Sequence, residues 1–279
     1  MIIFTKRFPS IPYEQLMSKN SILTISNNIK RSIKNSINLN ISIDGKKHGI
    51  DIVGYVDSFL EKILVNNSDI KWVVFDLNTT TDNPEDTIIL NSFIPHHIYN
   101  KYTNLNFIFV TSGKVFGDDI WNKTEIDSHT TESLYSRSIS AGEVNGDRSW
   151  VLRCDVFDEE FLNRDFEKSK VYYGSVDRKY SYVTNKALNK IIESLIDDEE
   201  EIIPNGIYHI VPKDTHSEYE LLNYLCWNKK SDCYIERSSS TKPIENILKT
   251  CKPELLKLIW KKSGYEEIPT FKKLFDELF

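Results

Sequence analysis

The chain predicts an α/β protein, a doubly wound and mostly parallel sheet followed by a smaller C-terminal α/β lobe on the substrate side. Three observations carry this. Short runs dense in β-branched and aromatic residues, KWVVFDL at 71–77, NFIFV at 106–110 and WVLRCDV at 150–156, read as strands buried on both faces. Stretches with apolar residues at helical intervals separate them. The alternation lasts to residue 156 and then becomes mixed. The expected division is therefore a sheet domain at 1–156 and a smaller lobe at 157–279, some of whose segments return to the sheet.

MIIFT at 1–5 is the first strand and 11–18 the helix after it. SILTIS at 21–26 is a second strand, and 30–36 is polar enough for helix or loop. Residues 37–43 alternate and end in Asp44-Gly45, with a second run at 49–53, which is a hairpin signal. DSFLEKILV at 57–65 has helical spacing with Asp57 as its N-cap. Residues 84–102 open with Pro-Glu-Asp and read as a helix that Pro95 interrupts. Residues 132–144 form the next helix and 181–194 another. The acidic run 197–201 reads as a solvated turn. GIYHIV at 206–211 is a strand, and the helix at 217–227 begins with a Ser217–Glu220 capping box. Residues 253–262 and 270–279 are the last helices.

Composition excludes several classes. The chain has 279 residues, 40% of them hydrophobic, as in globular proteins. No run of eighteen apolar residues occurs, so no membrane span is expected. The net charge of −6 argues against a nucleic-acid surface. The apolar start is too short for an export signal, and charge follows it, so a cytoplasmic location is expected. The four cysteines lack CxxC spacing and read as reduced thiols. No metal site is expected: adjacent His96 and His97 point apart on a helix.

The candidate chemistry lies in 106–143. A strand ends in Thr111-Ser112-Gly113, delivering a hydroxyl pair at its carboxyl end, and Tyr135 sits on the following helix. This pairing resembles the active site of short-chain dehydrogenases/reductases. The order of the motifs is similar to an extended branch of that family, the dTDP-4-dehydrorhamnose reductases. The regulatory β subunit of methionine adenosyltransferase shares their fold. The family block STDYVFDG aligns with Thr111-Ser112-Gly113-Lys114-Val115-Phe116-Gly117-Asp118, and YGRSKLAGE with residues 135–143. The strand block ILRTSWVY aligns with 151–157, where Arg153 is a substrate-side candidate. A late GxYH…S block aligns with Gly206, Tyr208, His209 and Ser217, an RP block with Lys252-Pro253, and a family asparagine with Asn91. The resemblance implies a Rossmann-like fold, NADP or NAD as cofactor, Ser112 as holder of a carbonyl and Tyr135 as proton donor. A lysine four residues after the tyrosine would lower the phenol's pKa and bind the nicotinamide ribose.

The departures fall on that cofactor site. The family's first turn carries three glycines, which let the backbone approach a pyrophosphate. Lys6, Pro9 and Pro12 stand there. Proline lacks the N–H that would cradle a phosphate. The family's Asn-Ala-Ala after the fourth strand is Asp76-Leu77-Asn78, and the lysine is Ile139. Without that cation the phenol titrates nearer its reference value of about 10. Packing roles are therefore favoured for Tyr135 and Ser112, and a paired structural role for Arg153. The expectation is a pseudoenzyme that binds no cofactor and acts as a binding or regulatory scaffold, with a protein partner or a second copy of itself. Two alternatives stand beside it: an NADPH-dependent reductase of a 4-keto-6-deoxy nucleotide sugar, and a cofactor-free module that binds the nucleotide sugar.

Overall fold

The computed structural model describes residues 3–4, 22–25, 36–39, 49–66, 70–76, 83–117, 120–157, 166–167, 169–198, 202–239 and 244–279, the first three segments and 244–245 as backbone alone. The chain divides into two compact units. One comprises Met1–Val115, His129–Leu152 and Pro204–Ile207, the other Phe116–Ser128, Arg153–Ile203 and Tyr208–Phe279. The anticipated division at 156 differs from this one. The second unit takes up 116–128 from the loop before the tyrosine helix and starts at Arg153, whereas 204–207 belongs to the first.

The main sheet comprises β1 (Ile3–Phe4), β2 (Ile22–Ile25), β3 (Ser36–Leu39), β4 (Trp72–Asp76), β5 (Asn106–Thr111), β6 (Ser149–Arg153) and β9 (Gly206–His209). They run in the order β3-β2-β4-β5-β6-β9, with β1 beside β4. The ladders of β1 with β4, β2 with β3, β2 with β4 and β4 with β5 are parallel. Phe107, Ile108 and Phe109 on β5 are fully buried, as are Val73 on β4 and Val151 on β6. That explains why these strands read as unbroken apolar runs. Each such side chain contributes about 1.5–3 kcal/mol through burial. Phe75 and Phe109 stack across the β4–β5 ladder with centroids 5.4 Å apart.

Helices cover this sheet. Helix α1 (Ile50–Asn66) buries Ile52, Val56, Leu60 and Ile63, one stripe at helical spacing. It overturns two expectations. Residues 49–53 begin this helix, so they are not the second strand of a hairpin, and β3 instead pairs in parallel with β2. Of the alternating run at 37–43, residues 37–39 lie in this parallel strand, and Asp44-Gly45 lies outside the described residues. Asp57 is no N-cap: it lies mid-helix, where its carboxylate meets His97 Nε2 at 2.8 Å and Lys101 Nζ at 3.1 Å.

The stretch from Pro84 is α2 (Pro84–Ile88), a π-helical turn (Ile89–Phe93) and α3 (Ile94–Lys101). Asn83 caps it by accepting from the Glu85 N–H at 3.0 Å. Pro95 does not end the helix. The Ile94 N–H donates to Ile89 O, five residues back, and this wider turn carries the chain past a ring that would meet the residue 91 carbonyl in a regular helix. Arg148 closes the far end. Its guanidinium donates to Tyr99 O at 3.0 Å, Tyr102 O at 3.1 Å and Leu105 O at 2.6 Å, and lies over the Tyr99 ring. Helix α4 (Leu134–Gly142) carries Tyr135.

The second unit has a three-stranded sheet, β10 (His216–Ser217), β8 (Arg178–Tyr180) and β12 (Ile244–Asn246), and a two-stranded parallel one, β7 (Val171–Ser175) with β11 (Tyr234–Ser238). Helix α5 (Asn185–Ile196) is capped by Thr184, later than the expected start at 181, because Val183 still forms a bridge with Val156. Helix α6 (Glu218–Asn228) has the full Ser217–Glu220 capping box. Gly174 lets it lie close on β7: a Cβ there would stand 2.5 Å from Tyr219 Cα. Helices α7 (Pro253–Lys262) and α8 (Phe271–Asp276) complete the unit. Phe157, Leu221, Leu222, Leu225, Phe271 and Phe275 form its core. The acidic run is not wholly solvated. Asp198 is 4% exposed, ion-paired with Lys262 and bonded by the Ile203 N–H at 2.9 Å. Burial pushes its pKa up, but these bonds outweigh it and hold the carboxyl below the usual range.

Candidate functional site

Strand β5 delivers Thr111 and Ser112 at its carboxyl end, where the chain enters a 3-10 turn (Gly113–Phe116). The Ser112 hydroxyl accepts from the Lys114 N–H at 3.3 Å and its carbonyl from the Val115 N–H at 3.3 Å. Ser112 thus caps the turn that follows it, a local side-chain-to-backbone bond typical of serine at a strand end. Val115, fully buried, anchors the same turn.

Tyr135 lies in the first turn of α4, whose N-cap Ser133 accepts from the Ser136 N–H at 3.1 Å. One turn on, the position that shares its helix face holds Ile139, which is 0% exposed. Neighbouring polar groups on the helix are tied to the π-helical turn and α3. Asn91 Nδ2 donates to Ser138 Oγ at 2.9 Å, and Ser138 Oγ donates to Tyr135 O at 2.7 Å. Ser92 Oγ donates to Ser138 O at 2.7 Å. His96 Nε2 lies 2.8 Å from Ala141 O, so that nitrogen carries the proton. The family asparagine position is therefore a helix-to-helix bond, made possible because the extra residue of the wide turn faces Asn91 inward.

A second polar chain escaped the sequence reading. Thr111 Oγ1 donates to Glu143 Oε1 at 2.7 Å, joining the strand end to the residue just past the tyrosine helix. His129 Nδ1 bonds Ser140 Oγ, and its Nε2 lies 3.8 Å from Glu143 Oε2. The signal in the sequence is the hydroxyl of Thr111 beside Ser112 and the carboxylate that follows Gly142. Chemically the chain is a hydroxyl, a carboxylate and an imidazole in sequence, which ties the strand end to the segment that follows the tyrosine helix.

Arg153 belongs to the second unit. It is 2% exposed, with its guanidinium over the Phe116 ring and Nη1 3.4 Å from His209 Nε2. Beside it Glu125 accepts from the His209 N–H at 2.9 Å, Thr250 Oγ1 at 2.6 Å and the Cys251 N–H at 2.8 Å. Burial raises the Glu125 pKa, but these three donors prevail and lower it. Lys6, Pro9, Pro12, Leu77 and Asn78 lie outside the described residues, and of Asp76 only the backbone is described. Among the described residues no group of three His, Cys, Asp or Glu side chains is placed to hold a metal ion. No described helix is long and apolar enough to cross a membrane.

No protein-family model matches the chain, and no curated protein matches it by sequence. Solved structures do match. A dTDP-4-dehydrorhamnose reductase from Bacillus anthracis in complex with NADP superposes with a TM-score of 0.65 at 14% identity, over 99% of this chain and 98% of that one. The enzyme of the same name from Yersinia enterocolitica gives a TM-score of 0.64 at 14% identity, over 88% of this chain and 91% of that one. A dTDP-glucose 4,6-dehydratase from Bacillus anthracis in complex with NAD gives 0.57 at 14% identity, over 91% and 82%. At such identity the likeness establishes the fold: the chain has the Rossmann-type architecture of these nucleotide-sugar enzymes.

Proposed function

We propose that this protein is a catalytically silent relative of the 4-keto nucleotide-sugar reductases, acting as a binding or regulatory subunit. The observation that carries the reading is Ile139, apolar and without accessible surface one turn after Tyr135. Reducing a carbonyl requires hydride from a nicotinamide and a proton from a phenol whose pKa lies near the working pH. A cation beside the phenol achieves that, and a ligand ribose must reach that cation. Ile139 offers neither charge nor an open surface. Its site does not fit a nicotinamide ribose. Lys6, Pro9 and Pro12, at the positions that align with the family's glycines, support the same reading.

The partner of this reading is a protein or a second copy of this chain, with a nucleotide sugar as a further ligand to test. Thermal shift with dTDP- and UDP-sugars, each with and without NADPH, separates the readings. Stabilisation by the sugar nucleotide alone indicates a binding module. No response to either ligand supports a role through a protein partner. Stabilisation by both, with turnover that Tyr135→Phe abolishes, overturns the proposal and makes the chain a reductase.

A further inference from the structure

Two of the four cysteines are brought together by the fold, although seven positions apart in sequence. Cys226 lies in the last turn of α6. The chain then reverses through Lys230, whose φ is +50°, with the Lys230 N–H on Trp227 O and the Ser231 N–H on Cys226 O, both at 3.0 Å. It returns Cys233 immediately before β11. The Cys226 thiol donates to Ser231 O at 3.3 Å and approaches Cys233 O at 3.6 Å. Both thiols line one surface cavity of about 430 Å³, together with Asn223, Trp227, Lys230 and Ile235.

We propose that Cys226 and Cys233 form a reversible disulfide, closed by small disulfides of the glutathione class. The Cys226 thiolate attacks one sulfur of the disulfide, forming a mixed disulfide and expelling a thiolate that takes up a proton. The Cys233 thiol then loses its proton and attacks the Cys226 sulfur, expelling the second small thiolate. Two protein thiols lose two electrons and two protons, and one small disulfide becomes two thiols. Burial, then hydrogen bonding to Cys226, pushes the Cys233 thiol up to about 11, so Cys233 enters the reaction as the protonated thiol. The bond ties the end of α6 to the start of β11 and fixes one wall of the cavity, with Trp227, 83% exposed, on its rim. Cys154 is buried, and Cys251 is exposed with its thiol hydrogen-bonded to Glu125; neither lines this cavity.

The test treats the full chain with oxidised glutathione, raising its concentration until exposed Cys251 carries an adduct, and then maps alkylated peptides by mass spectrometry. The expected product is a 226–233 linked peptide free of glutathione and reversed by dithiothreitol, with a change in Trp227 fluorescence. Cys233→Ser should trap glutathione on Cys226. A wild-type sample with Cys251 modified but 226 and 233 still alkylatable, or each carrying its own glutathione, overturns the proposal.

Discussion

Replacing Ile139 by lysine restores the family residue and tests whether its position is core or groove. The side chain is 0% exposed, so a lysine there cannot keep its ammonium hydrated without rearrangement. At pH 7, giving up the proton from a reference pKa near 10.4 costs about 4–5 kcal/mol. The change of shape in a packed site adds about 1–3 kcal/mol. The sum rivals the whole stability of a typical domain, about 5–15 kcal/mol. The assay is urea denaturation followed by tryptophan fluorescence, at pH 7 and at pH 9.5, with Ile139→Met as control. The introduced lysine has a depressed pKa when folded, so the unfolded chain binds more protons. The deficit therefore shrinks by about 1.4 kcal/mol per pH unit as pH rises toward 10. Ile139→Met should cost less than about 1.5 kcal/mol. A lysine variant within about 1 kcal/mol of the parent at pH 7, with the parent's pH profile, refutes the reasoning: position 139 would then open onto water or an anion.

Three further outcomes follow from named contacts. Arg148→Ala should cost about 2–4 kcal/mol by removing the guanidinium that bonds the Tyr99, Tyr102 and Leu105 carbonyls, and Arg148→Lys should recover only part of it, since an ammonium lacks the planar fork; denaturation midpoints measure both. His216 is 3% exposed and stacked on Phe271, neither ring nitrogen has a partner among the described residues, and burial lowers its pKa to about 3. Folded His216 stays neutral while the unfolded chain protonates near pH 6.5, so stability should fall by up to about 1.4 kcal/mol per unit as pH drops from 6.5 toward 3. His216→Phe should flatten that slope in pH-dependent denaturation. Glu125→Gln should cost about 2–3 kcal/mol at pH 7, because its lowered pKa reports stabilising bonds to the carboxylate. Those bonds are lost as pH falls, so the variant and parent denaturation curves should converge in acid.

Much of the fold was legible because burial on both faces leaves a plain mark. Strands β4, β5 and β6 are uninterrupted apolar runs, and the alternation between them and the helical stretches dictates a parallel sheet. The capping box at Ser217 was readable because its two bonds are local. Failures came where distant contacts decided the outcome. Residues 37–39 alternate like half of a hairpin, yet they pair in parallel with β2. Asp57 looks like a cap, yet it serves His97 and Lys101 from another helix. Pro95 looks like a break, but a wide turn absorbs it. The site followed the same rule. Tyr135, Ile139 and Ser112 were singled out by the family resemblance, whereas the Thr111–Glu143 bond and the pairing of Cys226 with Cys233 depend on the chain returning to itself.

Calorimetric titration of the intact protein with NADPH, repeated with NADH, tests the central claim most directly. No saturable heat with either nucleotide is expected up to millimolar concentration. A dissociation constant in the micromolar range would contradict the account, because a cofactor would then bind beside a buried, uncharged Ile139.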